Sequence, residues 1–348
     1  MKAAVLHNYD RELAGSQFVV YEDVPDPKIE NPTDVIVRIG GAGVCRTDLH
    51  IIEAIWKDQG VEPGLPYIMG HENAGWVEEL GGAVEGIKVG DPVICHPLVT
   101  CGHHLIARRG NDMHIPDSTF PGIGANGGYA EYLLTNDRAL IPLPKSLAPK
   151  DVAPYTDAGL TAYHVAKKAA GHLVPGEYVV VVGAGGLGHI GIQCLNALCA
   201  AEIIAVDRSQ TALDLAKECG ASHCIQADGN EVEAVISLTH GHGAEAVIDF
   251  VAEGDAVQKG LDMTRNAGFY YVVGYGGQVD VPTIHLIITE KTIVGNLVGT
   301  YAELVELMAL ADRGLVKLAT KEYPLSEADQ ALHDLNAANV RGRAVLIP

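Results

Sequence analysis

The chain has 348 residues, 48% hydrophobic and 20% charged, the balance of a packed globule rather than a disordered segment. Lys and Arg number 24 against 44 Asp and Glu, and this net charge of −20 excludes a nucleic-acid binder, which must neutralise phosphates. No apolar run approaches the roughly 20 residues of a membrane helix, the N-terminus turns polar too soon for a secretory leader, and seven cysteines are too few for a disulfide scaffold, so a cytoplasmic, two-domain protein is expected.

Up to about residue 150, short β-rich runs alternate with Pro and Gly turns. Strands are predicted at 34–39, 75–80 and 91–96, in an irregular, mainly antiparallel β domain. From about 151 the period changes. Residues 178–182 form a continuous apolar run ending in glycines, as expected of a strand buried on both faces. A helix follows, with Leu187, Ile190, Cys194, Leu195 and Leu198 on one stripe. A strand at 203–206, a helix near 211–219 and strands at 246–251 and 269–273 continue the alternation, which implies βαβ units and a parallel sheet. The tail from about 315 loses this rhythm and is read as returning to the first domain.

The turn Gly183-Ala-Gly185-Gly186-Leu187-Gly188 follows a strand, opens a helix, and precedes an acid, Asp207, at the end of the next strand. In that context each glycine has a physical task. Gly183 permits the tight turn, Gly185 lets the backbone approach a pyrophosphate, and Gly188 lets helix and sheet pack closely. The helix N-terminus offers unpaired N–H groups to the phosphates. Asp207 accepts hydrogen bonds from ribose hydroxyls and repels a 2′-phosphate, which favours NAD over NADP, although Arg208 stands beside it. The turn alone leaves FAD and S-adenosylmethionine open as ligands.

In the first domain, Cys45-Arg46-Thr47-Asp-Leu-His50 and Gly70-His71-Glu72 hold zinc-ligand residue types, as weak signals taken singly. Joined with Gly75, Gly81, Val84, Gly90-Asp91-Pro-Val, Gly128-Tyr-Ala-Glu-Tyr132 and the late glycine turn, they resemble the medium-chain alcohol dehydrogenases over nearly the whole chain. The implied fold is α/β plus β. A GroES-like irregular β domain spans 1–150, completed by about 291–348, and a Rossmann doubly wound parallel sheet spans 151–290, with the active site in the cleft between them.

The resemblance implies one catalytic Zn²⁺ per subunit, held by Cys45, His71 and Asp157, with Glu72 as a fourth, exchangeable ligand or a group just behind the ligands. One thiolate and one carboxylate neutralise the dication, and a position stays open for the alcohol oxygen. The metal then acts as a Lewis acid, stabilising the alkoxide so that hydride can leave for the nicotinamide. Thr47 resembles the family's hydroxyl relay and His50 its outlet to solvent; Arg46 and Arg343 would meet the pyrophosphate. Val273 and Leu297 would flank the nicotinamide, and Trp56, Leu98 and Leu297 are pocket-wall candidates.

The family's second, structural zinc binds four cysteines in a lobe, whose positions here are Cys101, His104, Ala107 and Ile115. Only two of these can ligate, so no structural lobe zinc is expected, and apolar packing around Ala107 and Ile115 should hold the lobe. The expected activity is interconversion of alcohols, secondary ones in particular, and carbonyl compounds with NAD(H), in a homotetramer or homodimer without nucleic-acid or membrane partners. Two rivals are a zinc-free, NADPH-dependent quinone or enone reductase of the same superfamily and a non-enzymatic dinucleotide-binding protein.

Overall fold

A computed structural model describes residues 1–58, 60–61 and 64–348. They divide into two compact units, one of Met1–Ala158, Gly299–Asp312 and Leu318–Pro348, the other of Gly159–Val298 and Arg313–Lys317.

The first unit is built around the strand Asp34–Val44, in which only Arg38 is exposed. It pairs antiparallel with Glu72–Leu80, Tyr132–Asn136 and Arg343–Ile347. Thr320–Pro324 lies parallel beside Arg343–Ile347, and Pro92–Cys95 and Leu140–Pro142 extend the opposite side. Lys2–Leu6 lies between Val20–Asp23 and Tyr67–Ile68 in a smaller antiparallel sheet. The central strand runs past the predicted end at residue 39 and on through Gly40 and Gly41, with an irregularity in its pairing between Ile39 and Gly41. A Cβ on Gly40 would stand 2.7 Å from the Trp76 ring, and one on Gly41 2.8 Å from the Lys150 backbone. These glycines admit close neighbours to a strand rather than ending it.

The second unit contains six parallel strands: Tyr178–Val182, Glu202–Asp207, His223–Gln226, Ala244–Asp249, Thr264–Val272 and Thr292–Gly295. Their spatial order is third, second, first, fourth, fifth, sixth, that of a doubly wound dinucleotide-binding sheet. Val180, Val182, Ile204, Val206, Val247 and Tyr270 fill one side of it. The strand predicted to reach residue 251 stops at Asp249. There the Asp249 carboxylate accepts the N–H groups of Val251 and Ala252, both at 2.8 Å, and Ala252 turns the chain at φ +47°. Among the described residues, no helix is long and apolar enough to cross a membrane.

Candidate metal and dinucleotide sites

Local geometry in the first unit brings four donors together. Cys45 follows the central strand and caps the helix Arg46–Ile52. Gly70, at φ +97°, turns the chain just before His71, in the left-handed region that other residues enter only at a cost. Glu72 opens the next strand. Asp157 is bracketed on both sides: the Thr156 hydroxyl donates to the Asn73 carbonyl at 3.1 Å, and the Ala158 N–H donates to Glu72 Oε1 at 3.0 Å.

As a result, ligand atoms of Cys45, His71, Glu72 and Asp157 all lie within 4.8 Å of one another. Cys45, His71 and Glu72 are buried, whereas the Asp157 side chain keeps 15% of its exposure. His71 Nδ1 lies 3.2 Å from Asp48 and Nε2 3.4 Å from Asp157, yet neither nitrogen makes an aligned hydrogen bond. A buried imidazole nitrogen so placed, beside a thiol and two carboxyls, is what a zinc ion would satisfy, and the S, N and O donor set suits that metal.

The electrostatics are those of a crowded anionic cluster. Burial alone would lower the His71 pKa, but Asp48, Asp157 and Cys45 outweigh it and raise it well above the ordinary range. Burial lifts Glu72 above the usual carboxylate range, against the opposing pull of Arg343. Arg343 is itself buried, and its guanidinium pairs with Glu72 Oε2. Burial opposes its charge, yet Glu72 and Cys45 hold it more firmly protonated than usual. The resemblance puts Arg343 at a pyrophosphate, whereas here its guanidinium faces Glu72.

Arg46 is exposed, Thr47 half-buried, and His50 buried one turn further along the same helix. Leu98 is buried, Trp56 half-buried and Leu297 exposed. Asp48 was not singled out in the sequence. It is fully buried behind His71, in the place of the carboxylate that commonly orients a metal-binding histidine. Its one advance signal is position, as N3 of a helix that Cys45 caps: Cys45 N–H donates to Asp48 Oδ2 at 2.8 Å.

In the lobe, Ala107 and Ile115 are buried. Asp117 brings a third donor to Cys101 and His104, the three ligand atoms lying within 4.8 Å of one another, all on exposed residues. Counting only the four motif positions missed it. His104 Nε2 stands 3.2 Å from Asp117 Oδ1.

In the second unit, Gly183 adopts φ +84° and Gly188 starts the helix Gly188–Leu198. A Cβ on Gly188 would lie 2.0 Å from the Gly183 carbonyl oxygen, while the space beside Gly185 is open. Gly186 and Leu187 complete the turn. Asp207 accepts the N–H of Ala184 at 2.8 Å and that of Ser209 at 2.7 Å, so its carboxylate is fixed to the turn. A cavity of about 340 Å³ adjoins it, lined by Gly183, Asp207, Arg208, Glu231, Asp255 and Lys259 among others. Its cations already face acids: Lys259 Nζ stands 2.6 Å from Glu231 and 2.8 Å from Asp255, and Arg208 3.8 Å from Asp255. Val273 follows the strand Thr264–Val272, its N–H donating to the Asp249 carbonyl at 3.0 Å.

Comparison with known proteins agrees with this arrangement. The alcohol dehydrogenase GroES-like domain family matches residues 31–145, and the zinc-binding dehydrogenase family residues 186–313. The chain is 35% identical to an NAD-dependent alcohol dehydrogenase of Sulfurisphaera tokodaii, covering 94% of this chain and 96% of the relative. It is likewise 35% identical to one from Sulfolobus acidocaldarius, covering 99% of each. The solved alcohol dehydrogenase of Aeropyrum pernix superposes over all of both chains with a TM-score of 0.95 at 44% identity. From these full-length likenesses, the chain belongs to the zinc-type medium-chain alcohol dehydrogenase family.

Proposed function

We propose that the protein interconverts alcohols, secondary ones above all, and the matching carbonyl compounds by hydride transfer with NAD(H), with one zinc ion per subunit held by Cys45, His71 and Asp157. The observation that carries this reading is the convergence of buried Cys45, His71 and Glu72 with half-buried Asp157. When bound, zinc supplies Lewis acidity toward the alcohol oxygen, and the dinucleotide accepts the hydride.

The chain's own residues do the rest. Cys45 and Asp157 provide two negative charges and His71 a neutral donor. Glu72 is the exchangeable fourth donor, its carboxylate now shared between Arg343 and the Ala158 amide. Thr47 and His50, three apart on one helix, carry the alcohol proton outward, a task that suits an imidazole at neutral pH. Arg46 and the turn from Gly183 to Gly188 hold the phosphates. Val273 and Leu297 flank the nicotinamide. The acids facing Lys259 and Arg208, together with Asp207, support NAD, because a 2′-phosphate would meet anions and already paired cations. Asp157 is the residue that the resemblance ties to secondary alcohols. The zinc-free reductase reading loses support, since it has no use for the four converging donors.

NADH formation from NAD and a panel of primary and secondary alcohols is expected to be abolished by a chelator and restored by zinc. Elemental analysis should find about one zinc per chain, because the lobe trio is one donor short of a closed tetrahedral site. Activity that survives removal of all zinc would overturn the reading.

We also propose a homo-oligomer in which a second copy covers the strand Thr292–Gly295. Among the described residues that strand pairs only with Thr264–Val272, and the adjacent helix Thr283–Thr289 leaves Ile284, Ile287 and Ile288 62%, 69% and 65% exposed. An open edge beside bare isoleucines is a liability in a monomer. Ile287→Glu should lower the mass measured by sedimentation; an unchanged mass would rule out this contact. Cysteines without disulfides support a cytoplasmic location.

A further inference from the structure

Tyr129 lies outside the donor cluster and yet contacts both Asp48, which faces His71, and Gly70, which precedes it. It is fully buried, and its hydroxyl donates to Asp48 Oδ2 at 2.7 Å. The Cys45 N–H donates to the same oxygen at 2.8 Å. With Oδ2 held by two donors, the carboxylate turns Oδ1 toward His71 Nδ1, 3.2 Å away. A second set of contacts acts on the main chain. The Tyr129 ring fills the space beside Gly70, where a Cβ would come within 2.2 Å of Tyr129 Cδ1. Around it, Tyr129 N–H donates to the Met69 carbonyl at 3.0 Å and Gly128 N–H to the Gly70 carbonyl at 2.8 Å. The residue therefore fixes the backbone that leads into His71 and also the carboxylate behind its ring.

We propose that Tyr129 is a positioning residue for the metal site, aiming His71 through Asp48 and through the turn at Gly70. This rests on the zinc reading above. The two actions are separable, because phenylalanine keeps the ring against Gly70 and removes only the hydroxyl. Asp48 Oδ2 then keeps one donor, and the carboxylate is free to rotate away from His71. Direct partners of a metal-binding histidine, such as Asp48, commonly alter metal affinity by about tenfold to a hundredfold, and Tyr129 acts through that partner.

The test is zinc competition between the apo-protein and a chromogenic chelator, together with the absorption spectrum of the cobalt-loaded protein. Wild type, Tyr129→Phe, Asp48→Asn, the double variant and Tyr270→Phe are compared. Tyr270 is the control, because its hydroxyl donates to buried Asp249 at 2.6 Å in the second unit. Tyr129→Phe is expected to bind zinc about tenfold or more weakly with an altered cobalt spectrum. Added to Asp48→Asn it should cost little more, since both act along one line. Tyr270→Phe should leave zinc affinity unchanged even if it lowers the melting temperature. Wild-type zinc affinity in Tyr129→Phe would overturn the inference, as would full additivity with Asp48→Asn or an equal loss in Tyr270→Phe. Absence of tight zinc binding in the wild type would instead overturn the zinc reading itself.

Discussion

Cys45→Ser and His71→Ala are each expected to lower kcat by on the order of a thousandfold, the worth of several kcal/mol of Lewis-acid stabilisation. The two changes act by different routes. Serine keeps the size of Cys45 and removes the soft thiolate, so the metal is held less tightly while the cap of the helix Arg46–Ile52 survives. Alanine at 71 removes the donor and also leaves Asp48 buried without the imidazole it faces, so a lower melting temperature should accompany the lost turnover. NADH binding, followed by fluorescence titration, should stay nearly intact in both, because the glycine turn and Asp207 are held by hydrogen bonds within the second unit. Unchanged turnover in either variant would remove zinc from the mechanism.

Asp207→Gly is expected to move the ratio of kcat/KM for NADP over NAD upward by on the order of a hundredfold. A charged hydrogen bond to the ribose is worth about 1.5–3 kcal/mol, and like charges near a protein surface repel by up to about 4 kcal/mol at contact. Solvent screening reduces the second figure. Most of the shift should come from losing NAD rather than gaining NADP. Asp207 also ties down the Ala184 and Ser209 amides, so its removal loosens the turn that cradles either cofactor. Arg208 and Lys259 stay engaged with Asp255 and Glu231 and offer little to a phosphate. Steady-state kinetics with both cofactors, before and after the change, decides the matter. An unmoved ratio would show that discrimination lies elsewhere.

What could be read in advance was whatever the chain expresses locally. Residues 178–182 are a run of β-branched residues after one tyrosine, and they form the strand Tyr178–Val182. Cys45 and His71 are donor residue types that gain weight only when joined with the other motifs, and the glycine turn announces itself by its place between strand and helix. What escaped was set by distant partners. Asp48 is ordinary among Thr47 and Leu49 until folding presents His71 to it. Asp117 joins Cys101 and His104 only through the course of the lobe. The end of a strand at Asp249 depends on a carboxylate catching two amides ahead of it, which hydrophobic pattern does not encode. Ile284, Ile287 and Ile288 are of a residue type usually found in cores, yet they face outward in the chain taken alone.

The pairing of Arg343 with Glu72 spans 271 residues of chain. At ribosomal speeds of about 5–20 residues per second, Glu72 waits roughly 14–54 s for its counter-charge to be made. During that interval the long stretch Gly159–Val298 of the second unit is made, with Arg313–Lys317 still to follow. The strand Arg343–Ile347 is still missing from its place beside Asp34–Val44. The first unit, whose opening segment is made first, can therefore be completed only after the long segment of the second has been made. Until Arg343–Ile347 has been made, the first unit stays open at a sheet edge, with Glu72 still lacking its counter-charge.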